Sequence, residues 1–195
     1  MQENDVKSEK TEKSAPGGPV KRWPLLAVAA VIVAAVIAIV VVMALRGPTE
    51  EEMVKTKIYI DAPATVAAGA DLTAKVAIDN VINFDSTNFD VTYDPLVLEL
   101  TGVADGAINT TAVPVLLWDF MPPGVQGTAG IVLNVPGVPG VNGSGFLCEL
   151  HFTVIGDSGD SSNIDFSGDL WVSDNGAVRI DVPDDNWIGA VVSVE

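Results

Sequence analysis

The residue types that most often carry catalysis are scarce in this chain. It contains one histidine, His151, and one cysteine, Cys148, among 195 residues. A Ser-His-Asp triad or a zinc site needs partners that a single His and a single Cys cannot supply. The sequence also lacks a Gly-x-Ser-x-Gly elbow, a phosphate-binding loop and a dinucleotide-binding fingerprint. We therefore predict that the protein is not an enzyme.

Carboxylates are abundant, and they raise the question of a calcium site. Residues 47–195 contain 22 acidic and four basic side chains, so chance pairs of acids do not indicate a glycosidase. Aspartates concentrate in two loops, at Asp157, Asp160 and Asp165 and at Asp181, Asp184 and Asp185. Their oxygens suit calcium, but neither loop has the Asp-x-Asp-x-Asp-Gly order of a calcium loop. We predict no cofactor and no metal, with calcium as the weaker alternative.

The same excess of acid bears on the partner. A strongly negative surface repels the phosphate backbone, so the sequence predicts no binding of nucleic acid. An acidic exterior also suits a salty habitat, which is the simplest alternative explanation of the charge.

Short alternating runs separated by Gly, Pro, Asn and Asp dominate the sequence from Lys57 onward. This pattern is typical of an antiparallel β-sandwich. Ten candidate strands are KIYIDA, LTAKVAIDNV, TNFDVTYD, VLLWDF, AGIVLNV, GFLCELHFTVI, NIDFS, DLWVSD, AVRIDV and IGAVVSV. Cys148 has no partner for an internal disulfide, and it is predicted to be a small core side chain.

The period of two assigns a core side and an outer side to each strand. In the stretch STNFDVTY the core side is Thr87, Phe89, Val91 and Tyr93, and the outer side is Ser86, Asn88, Asp90 and Thr92. In GIVLNV the inward residues are Ile131, Leu133 and Val135, and the outward ones are Val132 and Asn134. In GFLCELHFTV the inward set is Phe146, Cys148, Leu150, Phe152 and Val154, and the outward set is Leu147, Glu149, His151 and Thr153.

The N-terminal region has a different character. Residues 1–22 are polar and predict a disordered tail. Residues 25–45 are apolar without charge, Gly or Pro, and as a helix they would measure roughly 31 Å, close to the thickness of a bilayer core. We predict a transmembrane helix over 23–46, a linker over 47–56 and an outer domain over 57–195. The alternative is a cleaved signal peptide.

Basic residues set the predicted orientation of this helix. Lys21 and Arg22 lie directly before the apolar segment, and only Arg46 follows it closely. By the positive-inside rule the N-terminus is cytoplasmic and the acidic domain is extracellular, on a single-pass protein of the cell membrane.

The outer domain resembles a cohesin domain. The resemblance lies in FDVTYDPLVLELTGV followed by GAI, then GTAGIVLNV, then GSGFLCELHFTVIG, and it covers about residues 57–194. It implies a nine-stranded jelly-roll β-sandwich that binds a dockerin, a small module with two calcium-loop-plus-helix segments on another protein. Any calcium of the complex is then expected in the dockerin.

In cohesins the dockerin lies on the outer face of one flat sheet. The resemblance implies that this sheet contains the strands around residues 86–94, 130–135, 145–154 and 169–174. Aligned on Tyr-Asp-Pro, the polar positions that cohesins use fall on Ser86 and Asn88, where better-known cellulosomal cohesins have Asn and Asp. The predicted partner-binding residues are Ser86, Asn88, Asp90, Asn134, Glu149 and His151, together with Val138 and Val141 of the loop VPGVPGVNG.

Each part of this site has a simpler interpretation. The polar positions suit the solvated face of any antiparallel sheet, and the apolar loop suits a turn packed on its own sandwich edge. An alternative function is binding of polysaccharide by stacking on Trp118, Trp171 and Trp187, which otherwise pack in the core. A third hypothesis is a structural envelope domain without a specific ligand. The favoured function is a membrane-anchored receptor for dockerin-bearing proteins, in polysaccharide breakdown or cell-surface attachment.

Overall fold

A computed structural model describes residues 55–135, 137 and 139–195. The described part of the chain contains eleven strands and one 3-10 turn, Asp184–Asn186. The strands are β1 (Lys57–Asp61), β2 (Thr65–Val66), β3 (Asp71–Thr92), β4 (Leu98–Ile108), β5 (Thr111–Val113), β6 (Val115–Phe120), β7 (Thr128–Asn134), β8 (Val141–Val154), β9 (Ser161–Asp174), β10 (Trp187–Ile188) and β11 (Ala190–Val194). The all-β prediction is confirmed, with eleven strands of very unequal length in place of nine.

The predicted tail and transmembrane helix lie outside the described residues, as does most of the predicted linker. In residues 55–195, as far as they are described, no helix has the length and apolarity needed to cross a membrane.

Strand β3 is 22 residues long and belongs to two sheets. Its first half pairs with β1 and β8, and its second half pairs with β7 and β9. Between the halves the register shifts twice, near Asn80 and Asn83, whose φ angles are 57° and 60°. Asparagine tolerates this left-handed conformation better than most residues, so the strand turns without ending. Two predicted strands, LTAKVAIDNV and TNFDVTYD, are therefore one.

The two sheets share β3 and enclose one core. The first sheet has the order β10-β1-β3-β8-β4-β5, and the second has the order β6-β7-β3-β9-β11-β2. Apolar side chains from both sheets form a single buried cluster. Phe89 of the second sheet contacts Trp187 of the first, with ring centroids 6.2 Å apart. Because both inner faces meet in this core, the outer faces of the two sheets point in opposite directions.

The predicted core of the second sheet is confirmed. Thr87, Phe89, Val91 and Tyr93 are buried, and so are Ile131, Leu133 and Val135. Cys148 is also buried, as predicted, and its burial raises the pKa of its thiol.

The structure differs from the predicted strands at three places. Leu147, assigned to the outer side of β8, is fully buried, and Phe146, assigned to the core, is half-buried. The reason is a bulge: β3 pairs Val76 with Cys148 but the next residue, Ala77, with Phe146, so Leu147 is an extra residue that reverses the alternation. The predicted strand AVRIDV, residues 177–182, forms only one isolated bridge. Strand β4 is present in the structure but is not among the predicted strands.

Glycines hide β4 from the pattern of alternation. The strand has the sequence LELTGVADGAI, in which two glycines interrupt the apolar positions. A Cβ atom at Gly106 would lie 2.2 Å from the carbonyl oxygen of Phe146 on the neighbouring strand. The close approach of β4 to β8 therefore requires glycine at position 106. The same glycine breaks the alternation of polar and apolar residues by which a strand is predicted.

One glutamine stabilises the Tyr-Asp-Pro turn after β3 through hydrogen bonds. Gln126 accepts hydrogen bonds through Oε1 from the Tyr93 hydroxyl and, at 3.1 Å, from the Leu100 amide. Its Nε2 donates to the Leu100 carbonyl oxygen at 3.1 Å. The Tyr93 ring packs edge-on against Phe152, with centroids 5.1 Å apart. One side chain thus connects the end of β3, the start of β4 and the loop before β7.

We expect Gln126→Ala to lower the free energy of unfolding by about 2 kcal/mol, because three partly buried hydrogen bonds are lost together. Chemical denaturation of the full-length protein measures the change. Tyr93→Phe is the matched variant, and the double variant should cost less than the sum of the two single ones. Strictly additive costs would show that the two side chains do not act as a unit.

Candidate functional site

The outer face of the second sheet is the candidate site, and we call it the second-sheet face. On β3 it presents Ser86, Asn88 and Asp90, which are half-buried and alternate with the buried residues Thr87 and Phe89. The predicted outward orientation of these three polar side chains is confirmed. On β7 it presents Val132 and Asn134, as the sequence also predicted, together with Gly130.

Register places these residues in rows across the strands. Asp90 of β3 lies opposite Gly130 of β7, which lies opposite Asp119 of β6. The next row is Asn88, Val132 and Leu117, and Ser86 lies opposite Asn134. On the other side of β3, Trp171 of β9 lies opposite Asn88, and Ser173 lies opposite Ser86. Residues distant in sequence thus form one continuous surface.

Several polar groups of the second-sheet face are already hydrogen-bonded within the domain. Ser86 Oγ and Ser173 Oγ are 2.6 Å apart, and Asn88 Nδ2 donates to the Asp169 carbonyl oxygen at 3.0 Å. Asn134 Nδ2 donates to Asp85 Oδ2 at 3.3 Å. These bonds hold the side chains in defined positions, so a partner would meet a preorganised surface.

Asp90 differs from its neighbours. Among the described residues no hydrogen bond or salt bridge reaches its carboxylate. Burial raises the pKa of Asp90 above its ordinary value. Space for the carboxylate exists because two adjacent positions are glycine: a Cβ at Gly168 would lie 2.3 Å from Asp90 Oδ2, and one at Gly130 would lie 3.3 Å from Asp90 Oδ1. The domain therefore keeps a negative charge where the charge costs stability.

Apolar side chains flank the polar row, and the sequence analysis missed them. Leu117 on β6 is 62% exposed and Met121 just beyond it is 53% exposed. Together with Asn88, Asp90 and their neighbours on β7, they line a pocket of about 230 Å³. The strand VLLWDF contained a signal, since an inward Trp118 and Phe120 require an outward Leu117 by the period of two. Because Leu117 and Met121 adjoin one another in one pocket, they form a patch, and contiguous apolar patches are typical of protein-binding surfaces.

Two predicted site residues lie on the opposite face of the domain. Glu149 and His151 are on β8, beside Lys75 and Thr73 in the first half of β3. Lys75 Nζ lies 3.5 Å from Glu149 Oε1, and Thr73 Oγ1 lies 3.2 Å from His151 Nδ1. The prediction that they share a face with Asn88 is wrong, because β8 follows the half of β3 that belongs to the first sheet.

The prediction of an apolar loop at the rim of the site fails at one of its two residues. Val141 is only 8% exposed and belongs to the core, where it lies opposite Phe84 of β3. Val141 starts strand β8 and is not part of the loop, which explains its burial. Val138 lies outside the described residues.

The three tryptophans considered for sugar stacking do not form a strip. Trp118 and Trp187 pack against the core, where Trp187 contacts Phe166 with ring centroids 5.1 Å apart. Trp171 faces outward, and the Arg179 guanidinium lies 5.3 Å from its ring centroid. In the part of the chain that the structure describes, no three His, Cys, Asp or Glu side chains are grouped to hold a metal ion.

A jelly-roll sandwich of two sheets around one core, with a row of polar and apolar side chains on the outer face of the second sheet, is therefore the class of domain that the fold and the site define. Residues 56–186 match the family model of the cohesin domain. The chain belongs to the cohesin domain family. Comparison with curated proteins gives no match.

Solved structures agree with this fold. A non-cellulosomal cohesin from the archaeon Archaeoglobus fulgidus is 22% identical with a TM-score of 0.57, over 72% of this chain and 91% of that chain. The sixth cohesin of scaffoldin B from Acetivibrio cellulolyticus, in complex with a Cel5 dockerin mutant, is 16% identical with a TM-score of 0.57, over 72% and 99%. A type I cohesin–dockerin complex from Clostridium thermocellum is 15% identical with a TM-score of 0.58, over 72% and 99%.

Asp90→Asn is expected to raise the melting temperature slightly at pH 7. The folded-state pKa of Asp90 is raised, so its charged form costs stability at pH values above the folded pKa. That cost disappears as the pH falls below the unfolded pKa, and the two proteins should then melt alike. Thermal unfolding at several pH values measures the difference. An Asp90→Asn protein that melts lower at pH 7 would show that the carboxylate is stabilising.

Proposed function

We propose that this protein docks a dockerin-bearing protein on the second-sheet face. The observation that carries the proposal is the combination, on one open sheet face of a cohesin domain, of fixed polar side chains, exposed apolar side chains and the Asp90 carboxylate. A helix laid across such a sheet can bury Leu117 and Met121 and satisfy the polar row. Interfaces commonly gain affinity from apolar anchors and specificity from placed polar groups.

Supporting geometry also distinguishes the two outer faces. On the first sheet, Lys75 pairs with Glu149 and its Nζ lies 4.8 Å from the Phe146 ring centroid. Lys57 similarly lies over Tyr59, with its Nζ 4.6 Å from the ring centroid. Glu149, a half-buried carboxylate of the first sheet, thus has a cation beside it, whereas no cation of the described residues pairs with the half-buried Asp90. This contrast favours the second-sheet face as the docking surface.

The cellular setting belongs to the same proposal. The apolar segment at residues 25–45 anchors the chain in the cell membrane as a single pass, with a cytoplasmic N-terminus and the cohesin domain outside. There the domain attaches dockerin-bearing proteins to the cell surface, for polysaccharide breakdown or adhesion, and performs no catalysis itself. Direct polysaccharide binding is less favoured, because only Trp171 of the three tryptophans faces outward and it is covered by Arg179.

Calorimetry of the full-length protein against the dockerins of its source organism, in calcium buffer, tests the proposal. We expect at least one dockerin to bind with micromolar or tighter affinity. Asn88→Ala with Asp90→Ala should weaken that binding at least tenfold, a loss of about 1.4 kcal/mol, without lowering the melting temperature by more than a few degrees.

The matched control is Glu149→Ala with His151→Ala on the opposite face, which should bind as the unaltered protein does. Binding that is lost in this control and retained in the first variant would move the docking surface to the first sheet. Failure of every dockerin to bind at micromolar concentration would overturn the proposed function.

A further inference from the structure

A gap between two carboxylates lies at the centre of the pocket on the second-sheet face. Asp90, Gly130 and Asp119 occupy one row across β3, β7 and β6. Neighbouring strands are about 4.8 Å apart, so the Cα atoms of the two acidic residues stand roughly 10 Å from each other, and the glycine between them contributes no side chain. Gly130 therefore leaves room above the middle of the row, and the Met121 side chain covers that room.

The walls of the pocket are apolar and adaptable. A Cβ at Gly130 would lie 2.7 Å from the Met121 sulfur, so the thioether reaches over the glycine. Leu117 and Val132 form the adjacent row. Methionine is unbranched and changes rotamer readily, which lets it move aside for an entering group. An apolar passage that ends between carboxylates matches the aliphatic stem and cationic head of Lys or Arg.

Three of the domain's four basic side chains contact other groups within the domain. Lys75 pairs with Glu149, and Arg179 Nη2 donates to the Leu170 carbonyl oxygen at 3.0 Å. Within the described residues no salt bridge involves Asp90 or Asp119. Asp119 Oδ1 accepts a hydrogen bond from the Phe120 amide at 2.7 Å, which orients that carboxylate. Two carboxylates this far apart cannot provide the six to eight oxygen ligands of a calcium ion, so a cationic side chain fits better.

We infer that the pocket over Gly130 receives one basic side chain, Lys or Arg, from the docked partner, with its stem on Leu117 and Met121 and its charge between Asp90 and Asp119. This inference rests on the proposed function for the identity of the partner. The geometry of the pocket itself can be tested without a dockerin.

The test is a titration of the isotope-labelled full-length protein with n-butylguanidinium and n-butylammonium, followed by amide NMR shifts. We expect saturable millimolar binding with the largest shifts at Asp90, Asp119 and Gly130. Neutral n-butanol should bind at least tenfold more weakly. Asp90→Asn and Asp119→Asn should each weaken binding of the cations about threefold, and Gly130→Val should abolish it while keeping both carboxylates.

Asp61→Asn, on β1 of the first sheet, is the control and should bind both cations normally. Equal shifts from butanol and the cations, or unchanged cation binding in the Asp90→Asn with Asp119→Asn variant, would overturn the inference. Gly130→Val must keep a near-normal melting temperature for its result to count, and valine suits a strand. If it unfolds, Gly130→Ala replaces it, with the same expected direction.

The outcomes separate this inference from the proposed function. A dockerin that binds a protein whose pocket ignores both cations would leave the function standing and overturn the inference. Cation binding at the pocket without any dockerin binding would support the pocket's preference for a basic group and overturn the proposed function. Where a dockerin binds, its basic residues can be replaced one at a time by Met. For a single one of them, we expect the loss of affinity combined with Asp90→Asn to be smaller than the sum of the two separate losses.

Discussion

The domain depends on one strand that belongs to both sheets. The first half of β3 pairs with β1 and β8, and the second half pairs with β7 and β9. Asn80 and Asn83, with positive φ angles, let the chain change sheets without a loop. Because the same strand carries the core residue Phe89 and the outward residues Asn88 and Asp90, the candidate site is as firmly held as the core below it.

The two outer faces differ in how their half-buried carboxylates are surrounded. On the first sheet, Lys75 contacts both Glu149 and the ring of Phe146, so the half-buried Glu149 carboxylate has a cation beside it. On the second sheet, Asp90 stands between two glycines, and burial raises its pKa. A carboxylate kept in such a position lowers the stability of the free domain, and a cationic group placed beside it would recover that cost. This difference between the faces is the physical reason for proposing the second-sheet face as the docking surface.

The fold and part of the site follow from local sequence, and the rest requires contacts between distant residues. Period-two alternation identified the buried side of β3 at Thr87 and Phe89 and the outward position of Asn88. It failed at Leu147, because one bulged residue reverses the faces of a strand. Alternation also cannot tell which sheet a strand joins; the resemblance assigned the strand of Glu149 to the docking sheet, and that assignment is wrong because β8 pairs with β4 and the first half of β3. The pocket over Gly130 arises from the register of three strands, which no local pattern contains.

The placement of β1 has a mechanical consequence. This five-residue strand is held laterally on both sides, antiparallel to β3 and parallel to β10. A force applied at Lys57 along the strand axis would load the flanking hydrogen bonds in shear, all at the same time. Peeling a strand from its end would break those bonds one after another at a much smaller force. A force along this strand is therefore resisted by all of its flanking hydrogen bonds together.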